Sequence, residues 1–313
     1  MFTYCGLCIK DVVPLNIYLY WRTLLMNNGD TLHEKSGKAN FDLIYDLEDP
    51  REYFNVLREF DYCIPRHGQR LFSSLIEARR EEAEERSLRI VDICCSYGVN
   101  AALLKYEVTL DDLYARYGSE DLATLSSEEL AKADVGFYGE RRREEAPEVV
   151  GLDVAGNAVS YGIRSGILDA GFAENLEDAE PSDALREAAS EVDLLSVTGG
   201  VGYISERTFQ RLLDCVSGAR IPWVAVFALR WVSYEEISEA LSAYGLVTEK
   251  LEGHTFTQRR FIDNEEREYV LEELSKMGVE TTGKEDEGWY HANFYLSRPA
   301  AEAKVPVEKL LGL

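Results

Sequence analysis

The chain is predicted to be α/β, with a mostly parallel, doubly wound sheet covered by helices on both faces. Two observations predict this. Short apolar, β-branched runs recur at Leu88 to Cys95, Val149 to Asp153, Val192 to Val197, Trp223 to Leu229 and Phe294 to Leu296, and such runs mark strands buried on both faces. Between them lie one-sided helical stripes. Phe209, Leu212, Leu213 and Val216 fall at i, i+3, i+4 and i+7, and Ile237, Leu241 and Tyr244 repeat the pattern. Alternation of this kind argues for parallel strands joined by helices.

Taken in order, residues 1–86 read as a helical N-terminal extension. Val12 to Leu25 is apolar, but Pro14, Asn16 and Arg22 interrupt it. It is too short for a membrane span and has neither a basic leader nor a cleavage site, so it reads as a helix packed on the body. After the turn at Asp49-Pro50, Tyr53, Phe54 and Leu57 mark one helix face. Ile64-Pro65 breaks the pattern before a second stripe, Leu71, Leu75 and Ile76. The charged run Arg79 to Arg86 is the polar end of that helix and the boundary of a Rossmann-like domain over 87–300. Two insertions interrupt the domain. In 106–147, Thr109 with Asp112 and Ser126 with Glu129 are capping boxes, which predict helices. The other, 253–290, carries a helix around Val270, Leu271 and Leu274. Residues 301–313 form a tail.

Composition narrows the partners. The 313 residues include 57 acids against 33 bases, a net charge of −24. Nucleic-acid binding draws on cationic side chains that displace counterions from phosphates, so this balance disfavours DNA and RNA. The one basic triplet, Arg141 to Arg143, is bracketed by Glu140, Glu144 and Glu145 and reads as a solvated face. No membrane association is expected, and the location predicted is the cytoplasm. Six cysteines in a chain of this length make no disulfide framework. Cys5-Gly6-Leu7-Cys8 is a lone CxxC without a second pair at zinc spacing, so reduced structural cysteines and no metal are expected.

Ligands of open α/β sheets bind beyond the carboxyl ends of the strands. The first strand ends in Asp92-Ile93-Cys94-Cys95-Ser96-Tyr97-Gly98 and the second in Gly151-Leu152-Asp153. An acid closing the second strand suits a ribose, whose two hydroxyls a carboxylate accepts in a fork. Asp169 follows a third apolar run, Gly166 to Leu168, where an acid would accept from an adenine amino group. The fourth strand ends in Thr198-Gly199-Gly200, small residues that admit a ligand to the backbone.

These residues resemble the class I, Rossmann-like S-adenosylmethionine-dependent methyltransferases. Asp92 matches the acid of that family's first motif, Gly98 the last glycine of its turn, and Asp153 its ribose-binding acid. The resemblance spans about residues 86 to 252 and a late strand at 291–297. It implies a seven-stranded sheet whose late strand runs antiparallel beside the sixth. It also implies S-adenosyl-L-methionine as cofactor, held by Asp92, Cys94, Ser96, Gly98, Asp153, Asp169 and Thr198. Cys94 and Ser96 stand where the family usually has glycines. A dinucleotide pyrophosphate needs those glycines; S-adenosylmethionine carries no phosphate and tolerates small side chains there.

The function this implies is methylation of a small-molecule acceptor on oxygen, nitrogen or carbon. Thr198 to Tyr203 stands where many base-modifying relatives carry Asp/Asn-Pro-Pro-Tyr, which again disfavours a nucleic-acid substrate. Acceptor-side candidates are Tyr203, His254, Tyr290 and His291 for catalysis, and Arg259 and Arg260 for a substrate carboxylate. Salt bridges to neighbouring acids are an equal reading of the two arginines. Three alternatives stay open: a non-catalytic S-adenosylmethionine binder, a nucleotide-dependent oxidoreductase, and an aminopropyl transferase. Residues 1–86 either cap the site or form a homodimer surface.

Overall fold

Strand β1 (Arg89–Ile93) forms where the sequence turns apolar and β-branched, and four of its five residues are buried. Around it β2 (Glu148–Asp153), β3 (Ala170–Ala173), β4 (Leu194–Thr198) and β5 (Trp223–Leu229) run parallel. The late strand β8 (Trp289–Pro299) is antiparallel to both β5 and β6 (Leu246–Lys250). The order is β3-β2-β1-β4-β5-β8-β6, the doubly wound arrangement with an antiparallel late strand that the resemblance implies. A further strand, β7 (Phe256–Arg260), pairs with β8 outside this path.

The computed structural model describes residues 42–80, 87–218 and 220–313. The expectations for Val12 to Leu25 and for the Cys5–Cys8 pair lie outside them, as do residues 81–86 of the charged run. Among the described residues no helix is long and apolar enough to cross a membrane.

The helices are α1 (Asp42–Tyr45), α2 (Arg51–Glu59), α3 (Ile64–Arg80), α4 (Val99–Lys105), α5 (Leu110–Tyr117), α6 (Glu120–Ala123), α7 (Ser127–Gly139), α8 (Gly156–Arg164), α9 (Asp183–Ala189), α10 (Glu206–Leu213), α11 (Glu235–Ser242), α12 (Asn264–Lys276) and α13 (Val307–Leu310). Side chains alternate across each strand. Val91, Ile93, Leu195, Val197, Val224 and Val226 therefore face one side, where Leu185, Phe209, Leu212, Ile237 and Leu241 from α9 to α11 cover them. Each such fully buried apolar side chain contributes about 1.5–3 kcal/mol. On the other side lie α3, α4 and α8; Phe72 of α3 meets Phe227 of β5 edge-on at 5.8 Å.

Helix α3 starts at Ile64, with Pro65 in its first turn, where the missing N–H has no intrahelical partner to lose. Its buried face is Leu71, Phe72, Leu75 and Ile76. Both capping boxes of the first insertion are formed, Thr109 with Asp112 opening α5 and Ser126 with Glu129 opening α7.

One polar network ties that insertion to helix α8. Asp134 of α7 is fully buried. Its Oδ1 accepts from Arg116 Nε at 2.7 Å, and its Oδ2 accepts from the hydroxyls of Tyr117 and Tyr161, each at 2.7 Å. Three helices thus converge on one carboxylate.

The structure corrects the reading around Asp169. The apolar run Gly166 to Leu168 is the turn after α8, and β3 begins only at Ala170. Asp169 therefore precedes its strand, at the amino end of the sheet. There its carboxylate accepts from the Val149 N–H at 2.8 Å and pairs with the fully buried Lys105 at 2.7 Å. It cannot reach a ligand at the opposite edge.

Asp134→Ala strips a partly buried guanidinium and two buried phenol groups of their acceptor, which should cost about 3 kcal/mol. Urea unfolding would report the loss, and a change below about 1 kcal/mol would show that the network is not what fixes the insertion.

Candidate functional site

The carboxyl ends of β1, β2 and β4 converge under the loop Cys94 to Gly98. Three of its residues are left-handed: Cys94 at φ 57°, Ser96 at φ 49° and Gly98 at φ 81°. These alternate positions are those at which the resemblance places glycines. The backbone therefore keeps the conformation of a glycine-rich turn although two of the side chains are not glycine. An L-residue held there costs about 1–2 kcal/mol, and such strain persists where surrounding structure enforces it. A Cβ on Gly98 would lie 2.7 Å from Ile167 Cγ2, so that position requires glycine on both counts.

Asp92 lies beneath this loop, 1% exposed. Pairing of β1 with β4 sets it opposite Ser196, whose hydroxyl donates to Asp92 Oδ1 at 2.8 Å. Asn100, in the first turn of α4, donates from Nδ2 to the same oxygen at 3.0 Å and to Thr198 Oγ1 at 2.9 Å. Four side chains from β1, β4 and α4 are thus locked together. Among the described residues, two buried acceptors of this cluster, Asp92 Oδ2 and Asn100 Oδ1, and the Ser96 hydroxyl in the loop above have no partner. Buried polar atoms are rarely left so unless a ligand or water completes them. Burial pushes the Asp92 carboxyl up to about 7, against the downward pull of Asn100 and Ser196.

Asp153 closes β2. Its Oδ2 accepts from the Ser96 N–H at 2.8 Å and its Oδ1 from the Ala155 N–H at 3.0 Å. It is half-buried and thus open on one side, and burial raises its pKa. Beside it Val154 is 67% exposed, an apolar face at the sheet edge that the sequence analysis did not single out.

Helix α3 forms a wall of the site. A Cβ on Gly68 would lie 3.2 Å from Thr198 Cγ2 and 3.4 Å from Asn100 Oδ1, so glycine lets the helix touch the end of β4. Gly199 similarly abuts the Gln258 amide, which a Cβ there would meet at 2.9 Å; Gln258 Oε1 is another buried acceptor without a partner. His67 directs Nε2 to Thr257 Oγ1 at 3.2 Å, and Cys63 Sγ lies 3.3 Å from the same hydroxyl. Next to Thr257 opens a cleft of about 610 Å³ lined by Tyr62, Cys63, Arg66, Tyr114 and Trp289 among others.

The structure brings Asp92, Cys94, Ser96, Gly98, Asp153 and Thr198 together and separates the acceptor-side candidates. Tyr203 is half-exposed in the loop after β4, and His254 is exposed in the turn between β6 and β7. Tyr290 is only 1% exposed. Its ring packs on Phe261 and under the Arg259 guanidinium, out of reach of an acceptor. Arg259 is likewise consumed: it forks onto both oxygens of the buried Glu266 at 2.9 and 2.7 Å, and so anchors α12 rather than a substrate carboxylate. Arg260 pairs with Asp61 at 2.7 Å and lies over the Trp289 ring. His291 alone of these faces α3, half-buried, with Nδ1 3.0 Å from Thr255 Oγ1.

Asn100, Gln258 and His67 were given no role from sequence, and Ser196 was read only as one of the small residues at the end of the fourth strand. A legible signal existed for Ser196, since a polar residue inside a fully apolar strand needs a partner. No such signal marks His67, which sits in an ordinary helical stripe.

In the unfolded chain an aspartate titrates near 4. The folded state holds the Asp92 proton more tightly, so the contribution of this group to stability should fall as pH rises from about 4 to about 7 and then level. The stability difference between wild type and Asp92→Asn, followed by urea midpoints, should change across that window; a flat difference would refute the assignment. At the loop, Gly98→Ala should destabilise by about 2 kcal/mol or more through φ and steric contact. Ser96→Gly should raise the melting temperature, because it relieves the left-handed strain and removes an unpartnered hydroxyl. A lower melting temperature for Ser96→Gly would contradict this account of the loop.

No family model and no curated protein matches the chain. Among solved structures it is similar to a TehB-like SAM-dependent methyltransferase from Corynebacterium glutamicum, at 11% identity and a TM-score of 0.34, covering 90% of this chain and 95% of that one. It is also similar to magnesium protoporphyrin IX methyltransferase from Synechocystis with bound SAM, at 11% identity and a TM-score of 0.34, covering 74% and 79%. A third is a plantazolicin methyltransferase in complex with a desmethyl analogue and SAH, at 10% identity and a TM-score of 0.39, covering 75% and 85%. At these scores the fold is read from the strand order of this chain itself, which is that of the class I methyltransferase sheet.

Proposed function

We propose that the chain is an S-adenosylmethionine-dependent methyltransferase acting on a small molecule. One observation carries the reading. A loop with three left-handed residues joins two acids at the ends of β1 and β2 and covers buried polar atoms that lack partners. Of those atoms, Asn100 Oδ1 and the Asp92 carboxylate oxygen Oδ2 accept, while the Ser96 hydroxyl can accept or donate, so a cationic donor completes them best. The ammonium of S-adenosylmethionine is such a donor, and its sulfonium adds positive charge without donating; a pyrophosphate, being an anion, offers neither.

Asp92, Ser96 and Asn100 would hold the charged amino-acid end of the cofactor. Asp153 would take the ribose hydroxyls on lone pairs left free by its backbone contacts. Val154 offers the adenine ring an apolar face. Thr198 and Gly199 let the ligand approach the end of β4, and Gln258 closes that approach. Bound there, S-adenosylmethionine supplies an activated methyl group. The work left to the chain is to align an acceptor, exclude water and remove a proton where the acceptor has one. The excess of negative charge favours a small acceptor over a nucleic acid.

Calorimetric titration tests the reading, with NAD and NADP as controls. Binding of S-adenosylmethionine is expected, with at least a tenfold weakening, about 1.4 kcal/mol, in Asp153→Ala. Binding of NAD in its place, or affinity indifferent to Asp153, would overturn it.

A further inference from the structure

We infer that His67 takes the proton of the methyl acceptor, and that the acceptor is therefore a hydroxyl or an amine that must shed a proton as it is methylated. The inference rests on the S-adenosylmethionine reading given above. Helix α3 is pressed against the site at Gly68, where a Cβ would lie 3.2 Å from Thr198 Cγ2 and 3.4 Å from Asn100 Oδ1. His67 is the preceding residue. Its ring meets Phe256 edge-on at 5.3 Å, Phe256 meets Phe227 at 5.2 Å, and Phe227 lies opposite Thr198 in the β4–β5 register. Two aromatic rings thus link the imidazole to the strand pair at the end of β4, and the imidazole is half-buried rather than sealed.

Thr257 orients the ring. With Nε2 engaged by the Thr257 hydroxyl at 3.2 Å, the other ring nitrogen has no protein partner among the described residues. Thr257 and Cys63 also form part of the wall of the cleft described above, which His67 itself does not line. Thr257 is thus a positioning residue, and His67 the group that acts.

The surroundings keep the ring neutral and ready to accept. Burial lowers its pKa, helped by Arg70 and Arg66 of its own helix. From β8 it faces His291, which burial, Arg230, Lys284 and His67 itself hold at about 4. Cys63, before the helix, carries a thiol that burial pushes up, and the β7 residues that pack here, Phe256 and Thr257, do not titrate. In the transfer, the acceptor lone pair forms the bond to the methyl carbon and the carbon–sulfur pair stays on sulfur. The O–H or N–H bond of the acceptor breaks, and its proton goes to the free nitrogen of His67. The same cations then return that proton to solvent.

The protein has four histidines, so its imidazole resonances are few enough to assign singly. His67→Gln identifies the His67 signal; if that variant fails to fold, His33→Gln, His254→Gln and His291→Gln identify it by elimination. Saturating S-adenosylmethionine, a cation, should lower the His67 titration midpoint by about half a pH unit or more. S-adenosylhomocysteine, with a neutral sulfur, should move it much less, and the exposed His254 should respond to neither. Equal response to the two ligands, or none while calorimetry records binding, would overturn the role of His67 and leave the cofactor reading standing. Absence of calorimetric binding would overturn both. With an acceptor found by screening hydroxyl and amine compounds, His67→Gln should lower kcat about 10²–10⁴-fold with little change in KM. It should also remove the acid limb of the pH profile, and an unchanged kcat would refute the proposal.

Discussion

The Asp92 carboxylate is the interaction on which the rest of the site depends. It is sealed beneath the β1 loop and accepts from Ser196 of β4 and Asn100 of α4. Those bonds bring the end of β4 to the start of α4, and Asn100 passes the link on to Thr198. Asp153 adds the crossing tie, from the end of β2 to the backbone of Ser96. Asp153 thus holds the loop itself, and Asp92 ties together the strand and helix that flank it. A buried carboxylate on a single hydrogen-bonded oxygen is a poor choice for stability alone, so its free oxygen is best understood through what it would bind.

The large excess of acids has a structural side as well. Asp111 and Asp112 begin α5, Glu128 and Glu129 begin α7, Glu235 and Glu236 begin α11, and Glu265 and Glu266 begin α12. Carboxylates there face the unpaired N–H groups and the positive end of the helix dipole. Glu177 does similar work between elements: it accepts from Ser205 and Thr208 at the start of α10 and is held below its ordinary pKa by those bonds, against the cost of burial. Part of the negative charge thus serves helix initiation, and it bears on substrate choice only through the field it leaves behind.

Strands buried on both faces were legible, because continuous apolar, β-branched runs such as Trp223 to Leu229 have few other uses. The capped helices were legible because Thr109 and Ser126 carry their partners three residues on. Reading failed where burial comes from partners rather than from composition. Strand β7, Phe-Thr-Gln-Arg-Arg, looks like a polar loop; it is buried because Arg259 forks onto Glu266 and Gln258 lies against Gly199. Strand β3 is short and half-exposed, so the apolar turn before it was mistaken for the strand and Asp169 was carried to the wrong end of the sheet. Asp92, Asp153 and Gly98 were found from their order along the chain. His67 was not, since its meaning comes from a contact 190 residues away in sequence.

The left-handed residues of the β1 loop carry one more consequence. A loop built from three glycines is free to wander and must be ordered each time a ligand arrives. Cys94 and Ser96 have far fewer backbone states than glycine, and the bond from the Ser96 N–H to Asp153 narrows them further. The ordering entropy is therefore surrendered when the chain folds, before any ligand is present. Such a loop receives its ligand as a rigid mould, and the free energy of association goes into recognition rather than into organising the receptor.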